Sequence, residues 1–468
     1  MKRREFILAT TGLVLSAAGN PSQHAAAGEK DPFLDPSYSK LPTPDEQTNG
    51  LDSEALASQV EPRTVHGLPV TGLPLKLGKF DEELAAQVKN SGIVGVSFAV
   101  AVDRKLVATR GYGHLCSHDK APAAPTSPGY LGSITKPLCA MAALTLVKAG
   151  KLKLDQKVLD VLPMEPLLKA GEKRQPEIDQ VTVRMLMNHT SGLFNIVEEL
   201  FDRDYYKQLA DQGKLELVHG DISQYDLVRR GMARPFVSKP GKQFNYSGQG
   251  LQVLGRIVEQ LSGQRLDKYM SSKVLKHLGV KRHATLSYLA PDELALIDAG
   301  KASQTHTFIP SPYSETLRAS VSWEFKEPAE YLYGNHWGQA DACGSSMLSA
   351  VDLLRFVTFC TDLLGKDLAT EALAMPLMRD KDGKMKPSSN GLGWGVSNNA
   401  GHNQYGHGGA WGGIRAFCES TWDNVQYAVL AACDQNEPFD KIVERVVELG
   451  RSLHGKQATV GWHRYGFK

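Results

Sequence analysis

The sequence predicts an α+β fold in which one antiparallel sheet is assembled from both ends of the chain, flanked by helices, with a mainly helical lobe inserted between its halves. Strand-like patterns gather early in the folded region and return near its end, while residues 155 to 345 are mostly helical with long loops. Strand and helix do not alternate in the way that winds a parallel sheet, and no internal repeat is visible.

Phe80 to Lys89 has the spacing of an amphipathic helix. Val94 to Val102 and Lys105 to Tyr112 then read as two strands joined through Asp103-Arg104, a hairpin pattern. From Ile134 to Val147 the chain is apolar on nearly all sides, which suits a buried helix. Lys148 in its last turn and Gly150 just beyond mark its end, and Pro137 falls early, where a helix tolerates it. Ser133 therefore sits at or near the start of a buried helix. Helical periodicity recurs at Val183 to Met187, Ile222 to Met232, Gly248 to Leu261 and Ala350 to Leu364. Gly393 to Val396, Gly413 to Cys418 and Val425 to Cys433 read as strands, and Asp440 to Leu453 closes with an amphipathic helix. The expected sheet lobe covers about residues 78–130 and 347–455, the helical lobe about 131–346, and 456–468 form a tail. Residues 28–77, rich in Pro, Ser, Asp and Gly without a sustained period, read as a linker or extension. Residues 285 to 340 are irregular and aromatic-rich, and no element is assigned there.

The 468 residues, 42% of them hydrophobic, supply ample material for a large core. The net charge is +2, and Lys2, Arg3 and Arg4 lie at the extreme N-terminus; beyond residue 27 the chain holds 50 basic and 50 acidic residues. A neutral body carries no electrostatic footprint for nucleic acid or an acidic membrane surface, so a small molecule or short polymer is the expected substrate. Residues 1–27 combine a basic start, a short apolar run to Leu15 and the small residues Ala25-Ala26-Ala27, the shape of an export signal. Arg3-Arg4 followed by Phe6-Ile7 resembles the twin-arginine type, which implies a periplasmic protein. No other stretch reaches about 18 consecutive apolar residues, so no stable membrane insertion is expected after signal removal. The six cysteines are scattered without a CxxC pair; disulfides and buried small hydrophobes are both compatible with them.

The sharpest local feature is Gly132-Ser133-Ile134-Thr135-Lys136. Residues three apart on a helix lie about 60° apart around the axis and about 4.5 Å along it, so Lys136 can bring its amine to the Ser133 hydroxyl. A serine needs such a base to become a nucleophile. A buried apolar helix disfavours the charged amine, and the positive end of the helix dipole acts in the same sense. Alone, the motif also fits a helix cap beside a surface charge.

Five segments in order set the motif in context: Gly129 to Lys136 running on to Asp155, Asn188-His-Thr-Ser-Gly-Leu193, Pro240-Gly-Lys-Gln-Phe-Asn-Tyr-Ser247, Gly391-Leu-Gly-Trp-Gly395, and Tyr405-Gly-His-Gly-Gly-Ala-Trp411. Together they resemble the serine β-lactamase and penicillin-binding-protein family, in its class C-type β-lactamase, esterase and D-aminopeptidase branch, over roughly residues 78 to 455. The resemblance implies the β-lactamase/transpeptidase-like fold. It also implies that Ser133 forms an acyl-enzyme, that Lys136 shares proton transfer, and that Tyr246 relays the proton to the leaving group and from incoming water. His407 and Gly409 would take the third-motif positions on a strand edge, and the backbone N–H groups of Ser133 and Ala410 would form the oxyanion hole. The second motif departs from the family: it reads Tyr246-Ser247-Gly248, so the usual third-position amide is missing. Gln249 is a candidate replacement. The third motif departs too, with His407 where a lysine would suit a substrate carboxylate; a largely neutral imidazole binds anions more weakly. Trp394, Trp411 and Tyr130 are candidates for the pocket wall and equally for the core.

His189 fits either a base or a ring that bonds the backbone of a tight turn, with the base roles already filled by Lys136 and Tyr246. His402 and His407 are not accompanied by HExxH or a carboxylate–cysteine set, so neither a metal nor an organic cofactor is expected. No G-x-S-x-G occurs, which argues against an α/β-hydrolase. The expectation is an exported serine hydrolase acting on an ester or peptide-like amide, with an esterase first. A D-aminopeptidase or β-lactamase-like amidase acting on cell-wall peptides is the enzyme alternative. Gly248 keeps open a non-catalytic binding protein on the same scaffold.

Overall fold

The computed structural model describes residues 63–72, 77–114, 122–195, 203–215, 217–218, 221–280, 283–285, 340–379, 384–399, 401–411, 413–433 and 435–455. The expected export signal, most of the 28–77 extension, residues 286–339, the tail from 456 and Cys116 lie outside them, as do the side chains of His402 and Trp411.

Both ends of the chain feed one eight-stranded antiparallel sheet. Its first half comprises β1 (Arg63–Val65), β2 (Leu68–Thr71), β3 (Gly95–Val102) and β4 (Lys105–Gly113). After β5 (Pro128–Tyr130) and β6 (Ser346–Ser349), which pair with each other outside this sheet, the second half comprises β7 (Gly395–Asn399), β8 (His402–Trp411), β9 (Ile414–Ser420) and β10 (Val425–Ala432). The strand order is β1-β2-β4-β3-β10-β9-β8-β7. The halves join where β10 runs against β3, from Val425 opposite Val102 to Ala432 opposite Gly95.

Helices cover both faces of this sheet. Val96, Phe98, Val100, Phe417, Tyr427 and Val429 face one side and pack with α1 (Gly78–Asn90) and, at the C-terminus, with α5 (Asn436–Leu453). Ala99, Ala101, Ala416, Cys418, Ala428 and Leu430 face the other, where α2 (Thr135–Lys148), α3 (Gly248–Ser262) and α4 (Ala350–Phe359) bury their apolar faces. With two covered faces, β3 and β10 are buried almost end to end, as their unbroken apolar sequences require.

Most expected elements stand within a few residues of their predicted ends. The β3–β4 turn is made by Asp103 and Arg104, both with positive φ, as a two-residue hairpin demands. Ala350 to Leu364 divides into α4 and a 3-10 turn over Cys360–Leu363. Two differences are larger. Part of the expected linker is sheet: residues 63–72 form the β1–β2 hairpin at its edge. Pattern reading also omits β8, because Gly406, Gly408 and Gly409 depress strand propensity in the run.

That hairpin is held by charge. Asp81 on α1 accepts hydrogen bonds from Arg110 Nε at 2.9 Å and the Tyr112 hydroxyl at 2.7 Å, and it pairs with Arg63 of β1. The Asp81 and Arg110 side chains are 1% and 2% exposed, so removing the carboxylate takes away the counter-charge of a buried guanidinium. Asp81→Ala is expected to cost about 3–5 kcal/mol, read as a lower urea midpoint. A shift below about 1 kcal/mol would show that the cluster contributes little net stability.

Candidate active site

Ser133 lies in a 3-10 turn, Gly132–Ile134, that runs straight into α2. Lys136 Nζ is 3.0 Å from Ser133 Oγ and donates at 2.8 Å to the Cys343 carbonyl. Lys136 is 3% exposed, and among the described residues no carboxylate pairs with it. The Tyr246 ring centroid stands 4.7 Å from Lys136 Nζ, so the phenol meets the amine with its face. Hydroxyl, amine and phenol thus share one place, although Tyr246 arrives from far along the chain.

The turn is gripped from two directions. Leu131 N–H donates to Ser346 O at 2.9 Å, and Ser346 N–H donates to Thr135 Oγ1 at 3.0 Å, so β6 holds the chain on either side of Ser133. The segment bearing Cys343 is anchored by a buried ion pair between Arg256 on α3 and Asp341. On the sheet side, glycine is a steric requirement. A Cβ on Gly409 would sit 1.9 Å from the Leu131 oxygen, and one on Gly132, where φ is +51°, would sit 3.0 Å from Ala410 N. The turn at Gly132 thus lies directly against the backbone of Gly409 and Ala410 on β8.

Tyr246 is positioned by the Asn188–Leu193 segment. His189 has φ +57° and is buried; its Nδ1 accepts from Ser247 N–H at 3.2 Å, and its ring packs 4.6 Å from the Tyr246 ring. A nitrogen that accepts from an amide carries no proton, so the proton of neutral His189 is on Nε2. Burial, and then the Lys136 charge, hold its pKa well below the usual histidine range. His189 is a neutral prop for the phenol, with the nitrogen facing Ser247 already engaged. Three further backbone bonds tie the two segments together: Asn245 N–H to His189 O, Gly241 N–H to Thr190 O, and Val237 N–H to Gly192 O.

His407 is half-buried beside this cluster, on β8 opposite Cys418, with Nδ1 2.6 Å from Gly408 O. That carbonyl can only accept, so Nδ1 carries the proton. Desolvation and then the Lys136 charge push its pKa down to about 4. It is therefore uncharged near neutrality.

Other expected residues lie elsewhere. Gln249 is fully buried on α3, and its Nε2 donates to Val228 O at 2.9 Å, away from the motif whose missing amide it was expected to replace. Trp394 is core, stacked on Phe356 at 5.5 Å and edge-on to Tyr405 at 5.2 Å. Tyr130 lines a different cleft, with Ser97, His114 and Arg415. Sequence reasoning missed the Cys343 carbonyl and the Arg256–Asp341 anchor, since neither a backbone acceptor nor a long-range ion pair leaves a local pattern. Among the described residues the five cysteines are buried free thiols.

The Beta-lactamase family model matches residues 80–450. The chain belongs to the β-lactamase family. Among curated relatives, esterase EstB of Burkholderia gladioli is 27% identical over 351 residues, covering 72% of this chain and 82% of that one. Protein flp of Staphylococcus aureus is 26% identical over 200 residues, and the match spans only 36% of its length. Among solved structures, the D-amino acid amidase of Ochrobactrum anthropi SV3 superposes with a TM-score of 0.58 at 17% identity, covering 80% of this chain and 97% of that one, which shows the shared fold.

Proposed function

We propose that this protein is an exported serine hydrolase that cleaves small esters through an acyl-Ser133 intermediate. The observation that carries the proposal is the 3.0 Å contact between Ser133 Oγ and a buried lysine amine, with the phenol of Tyr246 alongside. Ser133 Oγ attacks the ester carbonyl while its proton passes to the Lys136–Tyr246 pair. The Oγ–acyl bond forms, the alkoxy–acyl bond breaks, and the proton leaves with the alcohol. Water then attacks the acyl carbon, the Oγ–acyl bond breaks, and a proton returns to Ser133. The amides of Ser133 and Ala410 would hold the developing oxyanion, each contributing about 3 kcal/mol. Gly409, free of a side chain, lets the strand edge approach the turn. The basic, apolar and small-residue succession in residues 1–27 supports export, and among the described residues no helix is long and apolar enough to cross a membrane.

Neutral His407 favours esters over carboxylate-bearing penicillins and peptide termini. The expected result is hydrolysis of p-nitrophenyl esters well above that of nitrocefin, with a mass adduct mapping to Ser133. His407→Lys should raise nitrocefin turnover relative to ester turnover by about tenfold, as a charge-assisted contact worth about 1.4 kcal/mol would give. Efficient nitrocefin hydrolysis by the unaltered protein would instead assign it to the β-lactamase-like amidases. No adduct with either substrate would favour a binding protein.

A further inference from the structure

Ser346 is the residue of β6 that grips the nucleophile turn, and both of its backbone groups are committed to that grip. Its carbonyl accepts from Leu131 N–H at 2.9 Å, and its N–H donates to Thr135 Oγ1 at 3.0 Å. Ser346 is fully buried, so its hydroxyl needs a partner of its own. That partner is His283, whose Nε2 lies 3.3 Å from Ser346 Oγ. The half-buried imidazole is held at its other nitrogen too, with Nδ1 2.8 Å from Ser271 Oγ. Ser271 Oγ donates its only proton to the Asp267 carbonyl at 2.8 Å. It must therefore accept from His283, which places the imidazole proton on Nδ1 and leaves Nε2 bare. Ser346 Oγ–H then donates to Nε2. Desolvation outweighs the nearby Asp267 carboxylate and pushes the pKa of His283 down to about 4, so the ring stays neutral near pH 7. One imidazole thus ties the helical stretch that begins at Leu266 to the strand flanking Ser133, beside the backbone pairing of Thr285 with Ser346.

We infer that His283 is a positioning residue for the Ser133 nucleophile, acting through Ser346: its bare Nε2 anchors the serine whose backbone clamps the turn on both sides of Ser133. The inference rests on the acyl-Ser133 reading and adds to it a residue one remove from the reacting atoms. Without the anchor, the clamp has only its backbone bonds, and Ser133 Oγ loses its fixed distance from Lys136 Nζ. Lost alignment slows acylation and leaves ground-state binding of an ester unchanged.

Two substitutions at one position separate the two ends of the ring. Asparagine places its carboxamide where Nδ1 lies, so His283→Asn keeps the bond to Ser271 and stops short of Ser346. Glutamine reaches the place of Nε2, so His283→Gln offers Ser346 an acceptor again. With active sites counted by fluorophosphonate titration, the limiting acylation rate for a p-nitrophenyl ester should fall about tenfold in His283→Asn, at an unchanged half-saturating ester concentration. His283→Gln should stay within about threefold of the unaltered protein. Ser346→Ala deletes the hydroxyl and keeps both backbone bonds, so it reads the same link even where His283→Asn folds poorly. It should match His283→Asn, and the double variant should be no slower than either. A purely structural role would lower the melting temperature and leave the acylation rate per titrated serine unchanged. That result, losses that multiply in the double variant, or equal losses in His283→Gln and His283→Asn, each overturn the inference while leaving the acyl-serine reading intact. If the unaltered protein fails to form an adduct with a fluorophosphonate, the acyl-serine reading falls and the inference falls with it.

Discussion

Replacing Lys136 by alanine is expected to lower kcat for a p-nitrophenyl ester by about 10⁴-fold, and Ser133→Ala by a similar factor. The two changes should not add. If the hydroxyl and the amine act as one unit, as their 3.0 Å contact suggests, the double variant will be about as impaired as either single one. KM should change little, because neither group contributes much to ground-state binding of a neutral ester. Fluorophosphonate labelling should vanish in Ser133→Ala and slow severely in Lys136→Ala. Lys136→Ala also leaves the Cys343 carbonyl without its donor, a cost of about 1–3 kcal/mol that thermal melting will register separately. Retention of more than a tenth of kcat in Lys136→Ala would mean that another base serves Ser133, and the proposed mechanism would fail. The buried setting of the amine makes that outcome informative: among the described residues no carboxylate stands ready to replace it.

The parts of this protein that were legible in the sequence are those with local signatures. The all-round apolar run of α2 and the Asp103-Arg104 hairpin announced themselves through period and turn chemistry. Helical spacing allowed the Ser133–Lys136 contact, and the resemblance of five ordered segments singled it out. β8 was hidden from pattern reading because the glycines that let it touch Leu131 also erase its strand signal. The contacts around the second motif are still less local. Gln249 stands beside the motif in sequence and turns away to Val228, while Asn195, distant in sequence, reaches Gly248. The Arg256–Asp341 pair that steadies the Cys343 carbonyl likewise joins elements separated by the residues left unassigned in the sequence.

Tyr246→Phe separates proton relay from packing. Phenylalanine keeps the ring that lies against His189 and over Lys136, so the fold and the cation–π contact should survive and the melting temperature should hold. Only the hydroxyl is lost. If that hydroxyl carries the proton to the departing alcohol, kcat should fall about 10²- to 10⁴-fold for an alkyl ester, whose alkoxide cannot leave without it. A p-nitrophenyl ester releases a phenolate that needs no proton, so its acylation should suffer far less. The contrast between the two leaving groups, measured as the burst rate of acylation, is therefore the diagnostic quantity. Equal losses for both esters would mean that the hydroxyl acts in activating Ser133, before the leaving group departs, and would remove it from proton delivery to the alcohol. A large loss confined to the alkyl ester can come only from the phenolic oxygen, because every other contact of the side chain is retained.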